Sequence, residues 1–257
     1  MDLGLKNKVF IVTGSSRGIG FSIAKMLLDE GARVVINGRV KKPLLDSYYD
    51  LKKLNQDNVD YFKGDISKTS TIHQLKNFTL KKWSSIDGIV ANAGQLIELS
   101  DKINFEVDEL AWFMKNNFYL SHSLINEFTN ELQKSSGSIV IIGSIAGCDS
   151  LGAPVPYSVA KSSLKMYTKS MADILAKDKI RLNLVSPGNI LFDGGNWERK
   201  LRENKEEVEK YIKTHVPLNK FGVPEDIANM VSFLLSNRSN FITGSNFVID
   251  GGQTRSN

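Results

Sequence analysis

Short runs that are apolar throughout alternate along this chain with longer stretches in which apolar residues recur every three or four positions. Val9-Phe10-Ile11-Val12 is continuously apolar, the pattern of a strand buried on both faces of a parallel sheet. Ile23, Met26 and Leu27, with Phe21, then share one helical face that stops at Glu30-Gly31. Glycine suits that stop because it takes the left-handed turn without strain. Residues 32–37 read as a second strand. Strand, glycine-rich turn, helix and strand make one βαβ unit, whose crossover is right-handed.

The alternation continues. Strands are expected at 59–65, 86–92, 137–142, 180–185 and 246–250, and helices at 43–55, 69–83, 108–132, 156–177 and 224–235. The last helix opens on Pro224-Glu225-Asp226, which suits a first turn: proline loses no needed donor there and acids complement the dipole. Interleaved strands and helices predict an α/β fold, a Rossmann-like doubly wound parallel sheet of about seven strands with helices on both faces. Residues 1–257 read as a single domain. The irregular stretch 189–216 contains Gly194-Gly195 and turns strongly charged from Glu198 to Lys213. We read it as a helical flap over a site, the plainer alternative being an ordinary surface helix pair.

Composition narrows the function. With 41% hydrophobic and 24% charged residues the chain has the balance of a soluble globular protein. The net charge of +5 comes from scattered lysines, in short pairs such as Lys41-Lys42, Lys52-Lys53 and Lys81-Lys82 beside apolar helical positions. Such pairs are solvated helix faces, so no nucleic-acid partner is expected, although the positive field would draw a phosphorylated cofactor or acidic substrate. Cys148 is the single cysteine, so no intrachain disulfide forms and a reducing, cytoplasmic setting is expected. Neither an apolar leader nor a membrane-length apolar run is present. His73, His122 and His215 lack metal-ligand spacing, so no metal is expected. Cys148 has no evident histidine partner and reads as a small pocket-wall residue.

Candidate chemistry centres on Tyr157 and Lys161, four residues apart and so on one helical face. An ammonium fixed beside a phenol would lower its pKa from about 10 toward neutrality and make it a general acid/base. Ser144, after the apolar run 138–142, is placed to hold a substrate oxygen beside that phenol. Upstream, Thr13-Gly14-Ser15-Ser16-Arg17-Gly18-Ile19-Gly20 follows the first strand and opens the first helix, where glycines let backbone N–H groups approach a pyrophosphate. The second strand ends Asn37-Gly38-Arg39 with no carboxylate to bind ribose hydroxyls. Arg39, and Arg17 in the turn, could instead pair with a 2′-phosphate, which favours NADP(H) over NAD(H). Asp65, with Ile66 beside it, ends the third strand where adenine would lie, and Asn92-Ala93-Gly94 ends the fourth at the ligand crevice.

Taken together, these residues resemble the short-chain dehydrogenase/reductase family over nearly the whole chain, from Val9 to Gly252. Thr13-Gly14-x-x-x-Gly18-x-Gly20 resembles its cofactor turn, Asn92-Ala93-Gly94 its structural motif, and Ser144, Tyr157 and Lys161 its catalytic set. Ser186-Pro187-Gly188 and Asp250-Gly251-Gly252 are similar to its later signatures. The resemblance implies that Tyr157 exchanges a proton with the substrate, that Lys161 lowers its pKa and holds the nicotinamide ribose, and that Ser144 orients the carbonyl. It also implies a helix asparagine in a proton relay, Asn117 being favoured over its neighbour Asn116. Gly14, Ser16, Arg17, Gly18, Ile19, Gly20, Arg39, Asp65, Ile66, Asn92, Ala93, Gly94, Tyr157, Lys161, Pro187, Gly188 and Ile190 are then the expected cofactor contacts, Ile190 through its backbone. One departure stands out: Phe192 occupies the position near which the family often carries a cofactor-contacting threonine.

Residues 220–228 resemble 3-oxoacyl-carrier-protein reductases and sugar or polyol dehydrogenases alike. The expected activity is therefore NADP-dependent hydride transfer to or from a small carbonyl or secondary alcohol of one of those types. An NAD-dependent alcohol dehydrogenase and a non-catalytic dinucleotide sensor are the alternatives. The substrate pocket is expected from about 95–105, 148–156 and 189–215, with Asn189, Asn196 and Arg199 able to bind polar groups and Trp197 able to line it. By resemblance, the helices at 108–132 and 156–177 would form a homotetramer interface, or a homodimer.

Overall fold

The structure is a computed structural model that describes residues 2–54, 57–97 and 105–255. The chain alternates β1 (Val9–Val12), α1 (Gly18–Asp29), β2 (Arg33–Gly38), α2 (Lys41–Lys52), β3 (Val59–Lys63), α3 (Thr69–Trp83) and β4 (Gly88–Ala91). It continues through α4 (Val107–Phe113), α5 (Leu120–Ser135), β5 (Ser138–Ile142), α6 (Val155–Ala176), β6 (Arg181–Pro187), α7 (Asn196–Glu203), α8 (Lys205–His215), α9 (Pro224–Leu235) and β7 (Asn246–Ile249). The strands form one seven-stranded sheet in the order β3-β2-β1-β4-β5-β6-β7, parallel at every pairing.

The uniformly apolar strands are buried on both faces. Phe10 and Val12 of β1 join one core cluster, with α1, α2 and α9, while Ile11 between them joins the other, with α3, α5 and α6. β5 divides the same way, Val140 and Ile142 on one side and Ile139 and Ile141 on the other. Strand order reverses between β1 and β4, so the loops leaving their C-terminal ends diverge and open a crevice.

α1 ends as its sequence suggests. Gly31 takes φ 76°, and the N–H groups of Gly31 and Ala32 donate to Leu28 O and Leu27 O, each at 2.9 Å. These are the paired bonds of a Schellman stop, which occupy carbonyls the helix leaves over. α2 begins two residues earlier than expected and ends at Lys52; the expected end at Asn55 lies outside the described residues.

The helix expected unbroken over 108–132 is interrupted. Between α4 and α5, Met114–Tyr119 form a π-helical segment, a widened turn that re-aims the side chains it carries. The buried side chain in that segment is Asn117. Its Nδ2 donates to Gln95 O at 2.8 Å and Phe113 O at 3.2 Å, and its Oδ1 accepts from Gln95 N at 3.1 Å. These bonds to the loop after β4 offset the looser helical geometry. The flap region folds as α7 and α8, with Asn204 capping α8 by accepting from Glu207 N at 3.2 Å.

Candidate active site

A cavity of about 920 Å³ runs along the crevice from the glycine turn to Tyr157. Its floor is the turn after β1. Gly14 and Gly18 hold φ 62° and 57°, a region other residues enter only with strain. The turn is braced from the neighbouring strand. Asn92 Nδ2 donates to Thr13 O at 2.9 Å and Gly14 O at 3.0 Å, and the N–H groups of Asn92 and Ala93 donate to Thr13 Oγ1 at 3.1 and 3.2 Å. Asn92 therefore spends its amide on the turn itself. α1 starts with no side-chain cap and no acid in its first turn, so its leading N–H groups remain available to an anion. These free N–H groups and the glycine backbone are the donor set that a dinucleotide diphosphate takes, with the Phe192 ring lying against Gly18.

The end of β2 lies beside the glycine turn, Ser15 N donating to Asn37 O at 2.9 Å, but Asn37, Gly38, Arg39, Asp65 and Ile66 are not among the residues lining the cavity. Asn37 is buried and donates to Phe62 O at 2.9 Å and Gly64 O at 3.2 Å, so its side chain ties β2 to β3 and faces away from any ribose. Arg39 is exposed. With the Gln95 amide oriented to accept, its oxygen lies 2.9 and 3.2 Å from the two terminal nitrogens of Arg39. Asp65 is half-buried, which acts to raise its pKa, but the Ser67 N–H and hydroxyl and the nearby Arg39 and Lys68 hold it below the usual value. Ile66 beside it is buried. Arg17 is turned elsewhere: its Nη1 donates to Gly194 O in the flap at 2.7 Å.

At the other end, three elements meet. Ser144 follows β5, and its Oγ accepts from Ala146 N at 3.2 Å within a short 3₁₀ turn, 145–147. Gly147 makes that turn fit, because a Cβ there would lie 2.6 Å from the Lys161 carbonyl carbon on α6. Ser144 also hydrogen-bonds Tyr157. Phe113 packs edge-on against the Tyr157 ring at 6.1 Å, with Trp112 edge-on to Phe113 at 5.1 Å. Lys161 Nζ lies 5.8 Å from the Tyr157 ring centroid but donates to Ile142 O at 3.1 Å. A Cβ on Gly94 would lie 2.9 Å from Asn117 Oδ1 and 3.3 Å from Lys161 Nζ, so this glycine lets both groups close on the cavity.

Burial dominates the electrostatics of this pair. It pushes the Tyr157 phenol above its ordinary pKa, against a smaller lowering by Ser144, and pulls the Lys161 ammonium down to about 8. A low-dielectric site disfavours both charges, and the Lys161 ammonium is directed at the Ile142 carbonyl.

The structure thus brings together Ser144, Tyr157, Lys161 and Asn117 with Gly14, Arg17, Ile19, Gly20, Asn92, Gly94, Pro187, Gly188 and Ile190 around one cavity. Ile190 is bridged to Gly222 as an isolated parallel pair, through Gly222 N to Asn189 O and Leu191 N to Gly222 O. That pattern turns the Ile190 amide and carbonyl to the other side. Trp197 lines the cavity, stacked on Tyr211 at 5.4 Å. Cys148 is not a lining residue; Asn246 Nδ2 meets its Sγ at 3.3 Å. Of the expected pocket segment 95–105, residues 98–104 lie outside the described residues. Gln95 falls in the expected pocket segment and lines the cavity. Gln253, which is buried and also lines it, lies outside every expected segment; it accepts from Asn189 Nδ2 at 2.7 Å and donates to Tyr211 Oη at 2.8 Å. No recognisable spacing marks it, since its partners are distant in the chain. Among the described residues no helix is long and apolar enough to cross a membrane, and no cluster of three or more His, Cys, Asp or Glu could hold a metal ion.

Comparison with known proteins bears on this arrangement. A family model described as enoyl-(acyl carrier protein) reductase matches residues 14–254. Dehydrogenase/reductase SDR family member 4 of Mus musculus is 33% identical over 257 residues, covering 96% of this chain and 88% of its own. The 3-oxoacyl-acyl-carrier-protein reductase FabG of Chlamydia muridarum is 32% identical over 251 residues, covering 96% and 98%. Among solved structures, L-sorbose reductase of Gluconobacter frateurii complexed with NADPH and L-sorbose matches with a TM-score of 0.91 and 26% identity over 100% of both chains. 7α-Hydroxysteroid dehydrogenase complexed with NADH matches with a TM-score of 0.89 and 25% identity over 99% of this chain and 97% of its own. Fold likeness alone therefore does not choose between the two nicotinamide cofactors.

Proposed function

Because the chain belongs to the short-chain dehydrogenase/reductase family and is an oxidoreductase of alcohol or carbonyl substrates, we propose that it is an NADP-dependent enzyme acting on a 3-oxoacyl or sugar/polyol type of substrate. The observation that carries this reading is a single cavity with an uncapped glycine turn at one end and Ser144, Tyr157 and Lys161 at the other. We read residues 1–257 as one dinucleotide-binding domain, with 189–216 as its flap.

In this reading the α1 N-terminus and its glycines hold the diphosphate, and Asp65 and Ile66 border the adenine. Arg39 pairs with a 2′-phosphate once it leaves the Gln95 amide, an exchange of a neutral acceptor for a doubly charged one. Lys161 and Tyr157 hold the nicotinamide ribose. The cofactor supplies or takes the hydride, and in its oxidised form adds a positive charge to the site. The Ser144 hydroxyl donates to the substrate oxygen and orients it. The Tyr157 hydroxyl gives that oxygen its proton during reduction and takes it back during oxidation. Asn117 keeps the loop at Gln95 and the Lys161 head in register.

For the assembly, we read the exposed Tyr119, Met166 and Ile174 on the long helices as the seat of a homotetramer, to be checked by sedimentation. The lone cysteine favours a cytoplasmic setting.

Fluorescence titration with NADPH and NADH, on the wild type and Arg39→Ala, tests the proposal. Tight NADPH binding that weakens selectively in the variant supports it. Equal or tighter NADH binding overturns the NADP assignment, and binding of neither points to a protein that has left catalysis.

A further inference from the structure

Phe192 stands where the family resemblance implies a hydroxyl against the cofactor, and a phenyl ring cannot make that bond. Its surroundings indicate what it does instead. A Cβ on Gly18 would lie 2.6, 2.8 and 2.9 Å from three Phe192 ring carbons, so the ring rests directly on the bare backbone of the glycine turn. A Cβ on Gly195 would lie 2.8 Å from Phe192 O and 3.2 Å from two ring carbons. Phe192–Gly195 is a tight turn closed by Gly195 N to Phe192 O at 2.9 Å, with Gly194 at φ 74°. The turn is pinned a second time, by the bond from Arg17 to Gly194 O. Gly194 N in turn donates to Glu198 Oε2 at 2.7 Å in the first turn of α7, so the flap helix is linked to the same point. Gly14, Ile19, Gly20 and Phe192 line the open cavity, whereas Gly18, against which the ring lies, does not.

We propose that Phe192, packed against Gly18 and Gly195, is a latch that closes the flap over the diphosphate cradle and sets how long the dinucleotide stays bound. The inference rests on the function proposed above, since it needs a dinucleotide in that cradle. The latch works by excluding water and by blocking the exit, so its effect falls on the release rate. At Gly18 any side chain would displace the ring, and at Gly195 a Cβ would press on Phe192 O and crowd the ring.

The test is stopped-flow release of NADPH, followed by nicotinamide fluorescence, from the wild type, Phe192→Ala, Phe192→Thr and Gly195→Ala. Losing half-buried aromatic contact of this size speeds release about tenfold. Phe192→Ala and Phe192→Thr are both expected to show it, because threonine restores a hydroxyl but not the cover. Gly195→Ala leaves the aromatic in place but crowds it, and is expected to shift release in the same direction. Circular dichroism and thermal melting establish that each variant is folded. Wild-type release rates in the folded variants, or slower release from Phe192→Thr, would overturn the latch while leaving the proposed function intact. A wild type that binds neither NADPH nor NADH would sink the proposed function and the latch with it.

Discussion

At the residue scale, charge is held at the site against the cost of burial. Tyr157→Phe removes the exchangeable proton while keeping the ring packed on Phe113. Turnover should fall by about 10³-fold, the range for losing a general acid/base, with an unchanged circular dichroism spectrum. Lys161 carries the clearer stability signature. Its folded pKa of about 8 lies below the ordinary lysine value of 10.5, so the unfolded chain binds the proton more tightly. Stability of the cofactor-free protein therefore rises with pH across that window, and the buried charge costs most below pH 8. Lys161→Met should raise the stability of the cofactor-free protein by about 1–2 kcal/mol at pH 7, while abolishing turnover. The gain should vanish by about pH 10. Denaturant melts of both proteins at pH 7 and pH 10 check this; a stability difference that does not depend on pH would refute it.

Among the elements, two irregular features aim the chemistry. The 3₁₀ turn after β5 can sit on α6 because Gly147 has no side chain. Gly147→Ala should cost about 1–3 kcal/mol through overpacking and lower kcat more than it raises KM, because Ser144 and Tyr157 are displaced relative to each other. Urea melts and steady-state kinetics on the same preparation separate the two effects. The π-helical segment places Asn117 against both backbone groups of Gln95. Asn117→Leu removes the side-chain partner of those groups and of Phe113 O, at about 1–3 kcal/mol. Asn116→Leu, with its side chain only part-buried, should be the milder change.

For the molecule as a whole, the cofactor should act as a structural ligand. NADPH at a hundred times its Kd should stabilise the protein by about 2.7 kcal/mol, which for a chain of this size raises Tm by roughly 5–10 °C. Arg39→Ala should remove most of the difference between NADPH and NADH in this shift, as a thermal melt with each cofactor would reveal.

Much of this molecule was legible from hydrophobic periodicity and local chemistry. Continuous apolar runs such as Val9–Val12 can be buried on both faces only in a covered parallel sheet, and the glycines at 14, 18 and 31 sit where positive φ is needed. The element order and the sheet follow from such local rules. Tyr157 and Lys161, four apart on α6, were bound to share a face, and Ser144 was bound to lie beyond the end of a strand. The fold decided everything that depends on direction across long separations. The spacing of Tyr157 and Lys161 says nothing of the Ile142 carbonyl that takes the ammonium, nor of the burial that raises the phenol pKa and lowers that of the lysine. Asn37 reads as a residue near the cofactor, yet its amide is consumed by β3. Arg17 reads as a residue able to reach a 2′-phosphate, and nothing in its spacing announces the bond it makes to Gly194 O in the flap. Gln253 gives no signal at all, because its partners Asn189 and Tyr211 lie far off in the chain. Periodicity reports which face a residue occupies; a hydrogen-bond partner and a dielectric environment are set by what the rest of the chain packs against that face.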